Sequence, residues 1–258
     1  MSIFETPYQD FNHFLLIFIR VGVILFLLPF FNSRKIQVMS KVGLTLIITI
    51  LLYPVIKVST ATVPESILGL AQLIAGELIL GMILGLMVQV FFEGVKIMGE
   101  MVGFQTGLSV ANIIDPQSGT QMSIFSNMAY LLAMILFLLL NGHHILLSAL
   151  RGSFDIIQVG TLSLNPLLMQ KMISHVGQMF VIGIKIGAPA IAALLFTKIV
   201  FGLITKFIPQ MNIMIVAFPA QIAIGLLFFG ISLRLLLVFI EKYVDQLAPI
   251  MISTMRWV

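Results

Sequence analysis

The chain has 258 residues, of which 60% are hydrophobic and only 9% are charged. Soluble domains carry about 25% charged residues, so this composition indicates an integral membrane protein or a subunit of a membrane complex. The formal net charge is +4, and no basic cluster is interleaved with aromatic residues, so a nucleic-acid surface is not indicated. The absence of cysteine excludes disulfides, thiol catalysis and cysteine-based metal sites.

Apolar runs and breakers divide the first half of the chain into predicted helices. The run at 14–31 contains Arg20, and its acidic flank differs from the basic flank of a cleaved signal peptide. A basic link at 34–41 leads to a run at 42–56 that is short for a membrane span. A very long apolar element then begins near Ser66.

The second half continues with an apolar run at 124–140, a more polar connection at 151–171, and two long elements at 176–207 and 211–240. A membrane span needs about 20 apolar residues, so hydropathy predicts five to seven crossings. No stretch alternates with the period of a β-strand. We therefore predict an all-α fold: a single hydrophobic multi-helix domain over 1–258, with long helical hairpins and an internal irregular loop.

The long element from Ser66 carries a polar stripe. Its members recur at intervals of three and four residues, which places them on one face of a helix. They are Gly85, Gln89, Glu93, Lys96, Glu100, Gly103 and Gly107. The stripe leads into 109–119, where Asp115-Pro116 and other turn residues break the helix. This pattern indicates an assembly surface that leads to a gate.

Charges inside the apolar runs indicate that the helices face other helices. The four residues concerned are Arg20, Glu77, Lys185 and Lys198. At the centre of a bilayer they would cost roughly 10–14 kcal/mol together unless they are paired or face protein. Glycines four residues apart, as at 81/85, 99/103/107 and 183/187, also predict close helix packing.

Several functional interpretations of these charges remain open. Glu93, Lys96 and Glu100 can form ion pairs along one helix, contact partner subunits, or relay protons. We define the charged seam as the residues predicted to face partners: Gln89, Glu93, Lys96, Glu100, Gly103 and Lys185. His143-His144 is a weak metal motif, because neighbours on a helix do not face each other and structural zinc takes four ligands. No catalytic constellation stands out, so we predict no enzyme activity, cofactor or metal.

Five motifs together resemble a known family. They are GEMVGFQTGLSVANIIDPQ at 99–117, NGH at 141–143, AP at 188–189 with LFT at 195–197, GLITKFIPQMNI at 202–213, and AFPAQ at 217–221. On these motifs, which extend over nearly the whole chain, the sequence is similar to the FliR/SctT family of type III secretion export-gate proteins, on its flagellar branch.

The resemblance implies a subunit that assembles with FliP and FliQ into a helical export gate in the bacterial inner membrane, at the flagellar basal body. FlhB and FlhA would be further partners, and unfolded flagellar proteins would be the substrates. In the family, the loop after the glycine-rich helix plugs the channel. Carried over, the plug is residues 106–122, with Gly107, Leu108, Ser109, Asn112, Asp115, Pro116 and Gln117.

Two other functions are consistent with the residues. The first is a stand-alone proton-coupled secondary transporter that uses Lys185 with Glu77 or Glu100 as coupling charges. The second is a purely structural scaffold, for which changes in the loop would be silent while leucine at Gly99 or Gly103 would abolish assembly.

Overall fold

The computed structural model describes residues 5–31, 36–56, 66–109, 123–162, 166–210 and 212–255. Within these ranges the chain forms seven α-helices and no β-strand, so the predicted all-α fold is confirmed. The helices are α1 (Glu5–Leu27), α2 (Val38–Leu52), α3 (Ile67–Thr106), α4 (Ile124–Leu139), α5 (Gly142–Ile156), α6 (Pro166–Phe207) and α7 (Ile213–Met255).

Four of these helices, α1, α3, α6 and α7, are long and apolar enough to cross a membrane. Helices α4 and α5 pass the same test together but are bent by 68° at their junction, which gives up to five crossings among the described residues. The bend occurs at Asn141, whose φ of 56° lies in the left-handed region that asparagine tolerates better than most residues. Helix α2, with 15 residues, is too short to span, as its run predicted.

Helices α1, α6 and α7 extend beyond their predicted apolar runs, and α5 was not predicted as a separate helix. In α5 and α7 a buried stripe continues through polar sequence. Residues 151–156 of the predicted polar connection complete α5, in which Leu150, Ser153 and Phe154 are buried. Helix α7 continues to Met255, with Leu247 and Met251 fully buried at a spacing of four residues. Apolar residues at helical spacing stabilise a helix against a core even where polar residues surround them.

The chain packs into two compact units, and the first comprises Met1–Gln89, Asn141–Val176 and Val244–Val258. Helices α1 and α2 form an antiparallel hairpin, with Phe14 against Tyr53 near one end and Gly22 against Thr45 further along. The N-terminal part of α3 runs parallel to α1. A Cβ added at Gly81 would lie 2.7 Å from Val23 Cβ, and one at Gly85 would lie 2.6 Å from Leu27 Cδ1, so these glycines permit the close approach.

The second unit comprises Val90–Leu140 and Gly177–Tyr243. In it, the C-terminal part of α3 packs antiparallel to α4, where Phe92 contacts Phe137 edge to face. The same part of α3 runs parallel to α6, and Gly94 and Gly183 face each other there. A Cβ added at Gly183 would lie 2.8 Å from the carbonyl oxygen of Gly94, so only glycine fits this contact.

Candidate functional site

The chain segments on either side of residues 110–122 meet at one point on helix α3. The backbone N–H of Ser109 donates to the carbonyl oxygen of Gly103 at 3.2 Å. The backbone N–H of Ser123 donates to the Glu100 carboxylate at 2.9 Å, and its hydroxyl donates to the carbonyl of Gly99 at 3.4 Å. A Cβ on Gly103 would collide with the hydroxyl oxygens of both serines. We call these five residues the loop base.

Gly107 ends helix α3 beside the loop base. Its φ of 82° lies in the left-handed region, which glycine occupies without the steric penalty of a side chain. A Cβ at this position would also collide with the ring of Phe218 on α7. The hydroxyl of Thr106 donates to the carbonyl of Gly103 at 3.0 Å, so the last turn of the helix is closed by its own side chain.

The predicted plug falls partly on this site. Gly107, Leu108 and Ser109 lead out of α3, and Ser109 is buried at the loop base. The other predicted plug residues, Asn112, Asp115, Pro116 and Gln117, lie outside the described residues. The plug therefore stays a prediction, and the structure contributes the geometry of its two ends.

The first residue of the charged seam contacts the end of helix α1. The side-chain amide of Gln89 donates to the carbonyl oxygen of Leu27 at 3.0 Å. The last carbonyl groups of a helix have no partner within the helix, so Gln89 satisfies one of them. This seam residue thus has an internal structural role in the first unit.

The central seam residues lie in the second unit and form an ion pair within one helix. Lys96 Nζ is 2.6 Å from Glu93 Oε1 and 4.7 Å from the centre of the Tyr130 ring on α4. The Glu93 side chain is 43% exposed and that of Lys96 is 21% exposed, so the pair lies at the surface of this unit. Lys185 on α6 is exposed and forms no ion pair with any described residue. That the seam faces partner subunits remains a prediction.

A buried ion pair lies in the first unit. The Arg20 guanidinium donates through Nε to Glu77 Oε2 at 2.5 Å and through Nη2 to Oε1 at 3.0 Å. Its Nη1 donates to the carbonyl oxygen of Ile157 at 3.0 Å, and its Cζ lies 4.3 Å above the Phe154 ring. The backbone N–H of Gly160 completes the site by donating to Glu77 Oε1 at 3.0 Å.

This ion pair accounts for two of the four charges found in apolar runs. Arg20 is 0% exposed and Glu77 is 1% exposed, and they satisfy each other as a charge in an apolar run requires. The other two, Lys185 and Lys198, are exposed on helix α6. The prediction that such charges are paired or face protein is therefore confirmed for Arg20 and Glu77 alone.

His143 and His144, the weak metal motif, lie in the first turn of α5. Their rings contact each other edge to face, with centroids 4.3 Å apart. Within the described ranges, no three His, Cys, Asp or Glu side chains are grouped so that they could hold a metal ion.

Two residues of the site were not singled out from the sequence. Ser123 directly precedes the apolar run of α4, and serine at that position is a helix N-cap signal that could have identified it. Its hydroxyl instead donates across to α3, which only the packing reveals. Phe218 belongs to the AFPAQ motif at 217–221 but was not assigned to this site, because it lies over a hundred residues from Gly107 and no local pattern connects them.

Together these features define a helical membrane protein with two chain segments held at the end of a long polar helix face. The family model for bacterial export proteins, family 1, matches residues 11–247. The chain belongs to this family of bacterial export proteins.

Relatives extend over nearly the same length. The chain is 30% identical to the flagellar biosynthetic protein FliR of Pectobacterium carotovorum subsp. carotovorum, over 89% of this chain and 87% of the relative. It is 28% identical to the protein of that name from Bacillus subtilis (strain 168), over 95% of this chain and 94% of the relative. It is also 28% identical to that of Escherichia coli (strain K12), over 89% of this chain and 87% of the relative. The resemblance indicated by the five motifs is thereby confirmed.

Proposed function

We propose that this chain is a non-enzymatic subunit of the flagellar protein export apparatus, acting in the bacterial inner membrane at the basal body. It assembles with FliP and FliQ into the channel that passes unfolded flagellar proteins, next to FlhB and FlhA. Family membership and the similarity to flagellar biosynthetic proteins support the export role. The partners follow from the resemblance of the motifs.

The observation that carries the gate proposal is the loop base. The two described residues that flank 110–122, Ser109 and Ser123, both contact Gly103 on helix α3. Irregular backbone at membrane depth is tolerated where it is buried in protein or lines a cavity. A segment fixed at both ends is suited to block a conduit without being carried away by a passing substrate. We infer that 106–122 acts as this plug.

The alternative, a stand-alone proton-coupled transporter, is less well supported. Both carboxylates that it would use have structural partners: Glu77 binds Arg20 and Gly160, and Glu100 binds the backbone of Ser123. A coupling carboxylate has to exchange protons and partners during transport, whereas these two hold the packing of their own units. Lys185 is exposed on α6, where a partner subunit could cover it.

Co-purification distinguishes the two functions. The tagged chain, expressed with candidate FliP and FliQ subunits, should elute with both as one complex after size exclusion. The purified chain alone in liposomes should move no small solute with protons. Proton-coupled uptake by the lone chain, together with failure to recruit either subunit, would establish the transporter instead.

Cysteine cross-linking tests the plug's attachment, and the natural chain offers a cysteine-free background. The hydroxyl oxygens of Ser109 and Ser123 both lie beside the position that a Cβ on Gly103 would occupy, so the double variant Ser109→Cys/Ser123→Cys should place two thiols within reach of a disulfide. Mild oxidation of the assembled complex should bridge the two positions within the chain, whereas each single variant should give no such product. A double variant that stays reduced under the same oxidation would contradict a loop held at both ends.

A further inference from the structure

An apolar groove opens on the first unit between helices α1, α2 and α3. Its volume is about 480 Å³. Its walls include Phe18, Gly22 and Phe26 of α1, Val42 and Thr45 of α2, and Met82 of α3. The exposed fractions of Phe26 and Met82 are 39% and 46%, so the groove is accessible from outside the unit.

The walls of the groove offer no free hydrogen-bonding group. Thr45 is the polar exception among the lining residues, and its hydroxyl donates to the carbonyl oxygen of Lys41 at 2.8 Å. The Thr45 methyl group faces Gly22, because a Cβ added at Gly22 would lie 3.3 Å from that methyl carbon. Whatever occupies the groove therefore presents hydrocarbon to it, because a buried polar group without a partner is costly.

The groove is long and follows helix α1. Its lining on α1 extends from Phe18 to Leu27, ten residues or about 13 Å along the helix axis. An extended hydrocarbon chain can lie along apolar walls of this length.

A cation lies at one end of the groove. The ammonium group of Lys41 is 5.8 Å from the centre of the Phe26 ring, one residue before the end of α1. Helix α1 is a candidate span over Gln9–Leu27, so this end of the groove coincides with the end of a span, where lipid headgroups lie.

The surrounding sequence has an excess of positive charge. Residues 11–64 contain no Asp or Glu. Arg20 in this stretch is neutralised by Glu77, which leaves Arg34, Lys35 and Lys41, all in the sequence that follows the end of α1, without a carboxylate nearby in sequence. Basic residues at the end of a span are the feature that anionic lipids recognise.

We propose that this groove binds one acyl chain of an anionic phospholipid, with the headgroup phosphate beside Lys41. The site would fix a lipid between α1 and α2, a helix too short to cross the membrane by itself. This inference depends on the membrane character of the chain and does not require the export function.

Native mass spectrometry of the purified full-length protein tests the site with phosphatidylglycerol and phosphatidylcholine of identical acyl chains. Lys41→Gln should weaken retention of phosphatidylglycerol about fivefold and leave phosphatidylcholine unchanged. Lys198→Gln, which removes the same charge from the second unit, is the matched control and should change neither. Equal retention of both lipids by the natural chain, or no effect of Lys41→Gln, would overturn the proposal.

A second measurement identifies the occupant in native membranes. A photo-crosslinking amino acid at Met82 should yield an adduct whose mass increase equals one phospholipid. An adduct to another protein subunit at this position would show that a partner fills the groove and would refute the lipid site.

Discussion

The buried ion pair between Arg20 and Glu77 allows a sharp test of how the first unit is held together. Three donors converge on the Glu77 carboxylate: two guanidinium nitrogens and the backbone N–H of Gly160. Glu77→Gln keeps the shape of the side chain but removes its charge and replaces one acceptor oxygen by a donor. The Arg20 charge, which is 0% exposed, then has no counter-ion.

The expected loss is large because the remaining charge cannot reach water. Removing one partner of a buried ion pair costs about 3–5 kcal/mol, and we expect Glu77→Gln, Glu77→Leu and Arg20→Met each to lower the free energy of unfolding by about this amount. The double variant Arg20→Met/Glu77→Leu removes both charges and fills the space with apolar groups. It leaves the Gly160 N–H and the Ile157 carbonyl oxygen without these partners, a penalty of about 1–3 kcal/mol for an unsatisfied group, and each single variant, Glu77→Leu or Arg20→Met, already loses one of the two bonds.

The double variant should therefore be more stable than either single one. The assay is reversible unfolding of the purified chain in mixed micelles by titration with a denaturing detergent, followed by circular dichroism. Additive losses, with a double variant about 6–10 kcal/mol less stable than the natural chain, would refute the reasoning. Lys198→Ala, which removes an exposed charge of α6, should change stability by less than about 0.5 kcal/mol and serves as the control.

Four further substitutions should have effects that differ in sign or size. Gly183→Ala should weaken assembly and lower the free energy of unfolding by at least about 1 kcal/mol, because its methyl group would lie 2.8 Å from the carbonyl oxygen of Gly94. Gly230→Ala, where a Cβ meets open space, should instead stabilise helix α7 by up to about 1 kcal/mol. Thermal unfolding monitored by size exclusion compares the two variants. Gly107→Ala should abolish flagellar export in a motility assay while the protein still accumulates, because the residue has a positive φ and meets Phe218; normal swimming would contradict the loop geometry. Lys96→Met should lower the free energy of unfolding of the lone chain by less than about 1 kcal/mol, because its ion pair with Glu93 is partly exposed. A larger effect of the same variant on co-purification with partner subunits would support the charged seam as an interface.

Composition and helical spacing were enough to predict the fold class and the positions of the long helices. They also predicted that charges in apolar runs need partners. The identity of those partners depends on tertiary packing. From the sequence, Lys185 was a candidate to act together with Glu77, whereas in the structure Arg20 forms the ion pair with the Glu77 carboxylate. The sequence shows that a charge in an apolar run needs a counter-ion, but only the packing of the helices determines which residue provides it.

The candidate site follows the same rule. The spacing of Gly99, Gly103 and Gly107 predicted a close helix contact, and the first two allow the start of α4 to pack against α3. The hydrogen bonds of Ser123 could not be derived, because they join residues on either side of a long connection, whereas the bond of Ser109 to Gly103 is local to the end of α3. Helix ends were also misjudged where buried residues such as Leu247 and Met251 carry a helix through polar sequence.

The central claim is that the segment fixed at the loop base seals the export channel, and the ion conductance of the assembled complex in a planar bilayer tests it most directly. The natural complex should be closed. A complex lacking residues 110–118 should assemble with the same subunits and conduct ions continuously. A deletion complex that assembles, stays electrically silent and supports normal secretion would contradict the plug and favour a scaffold.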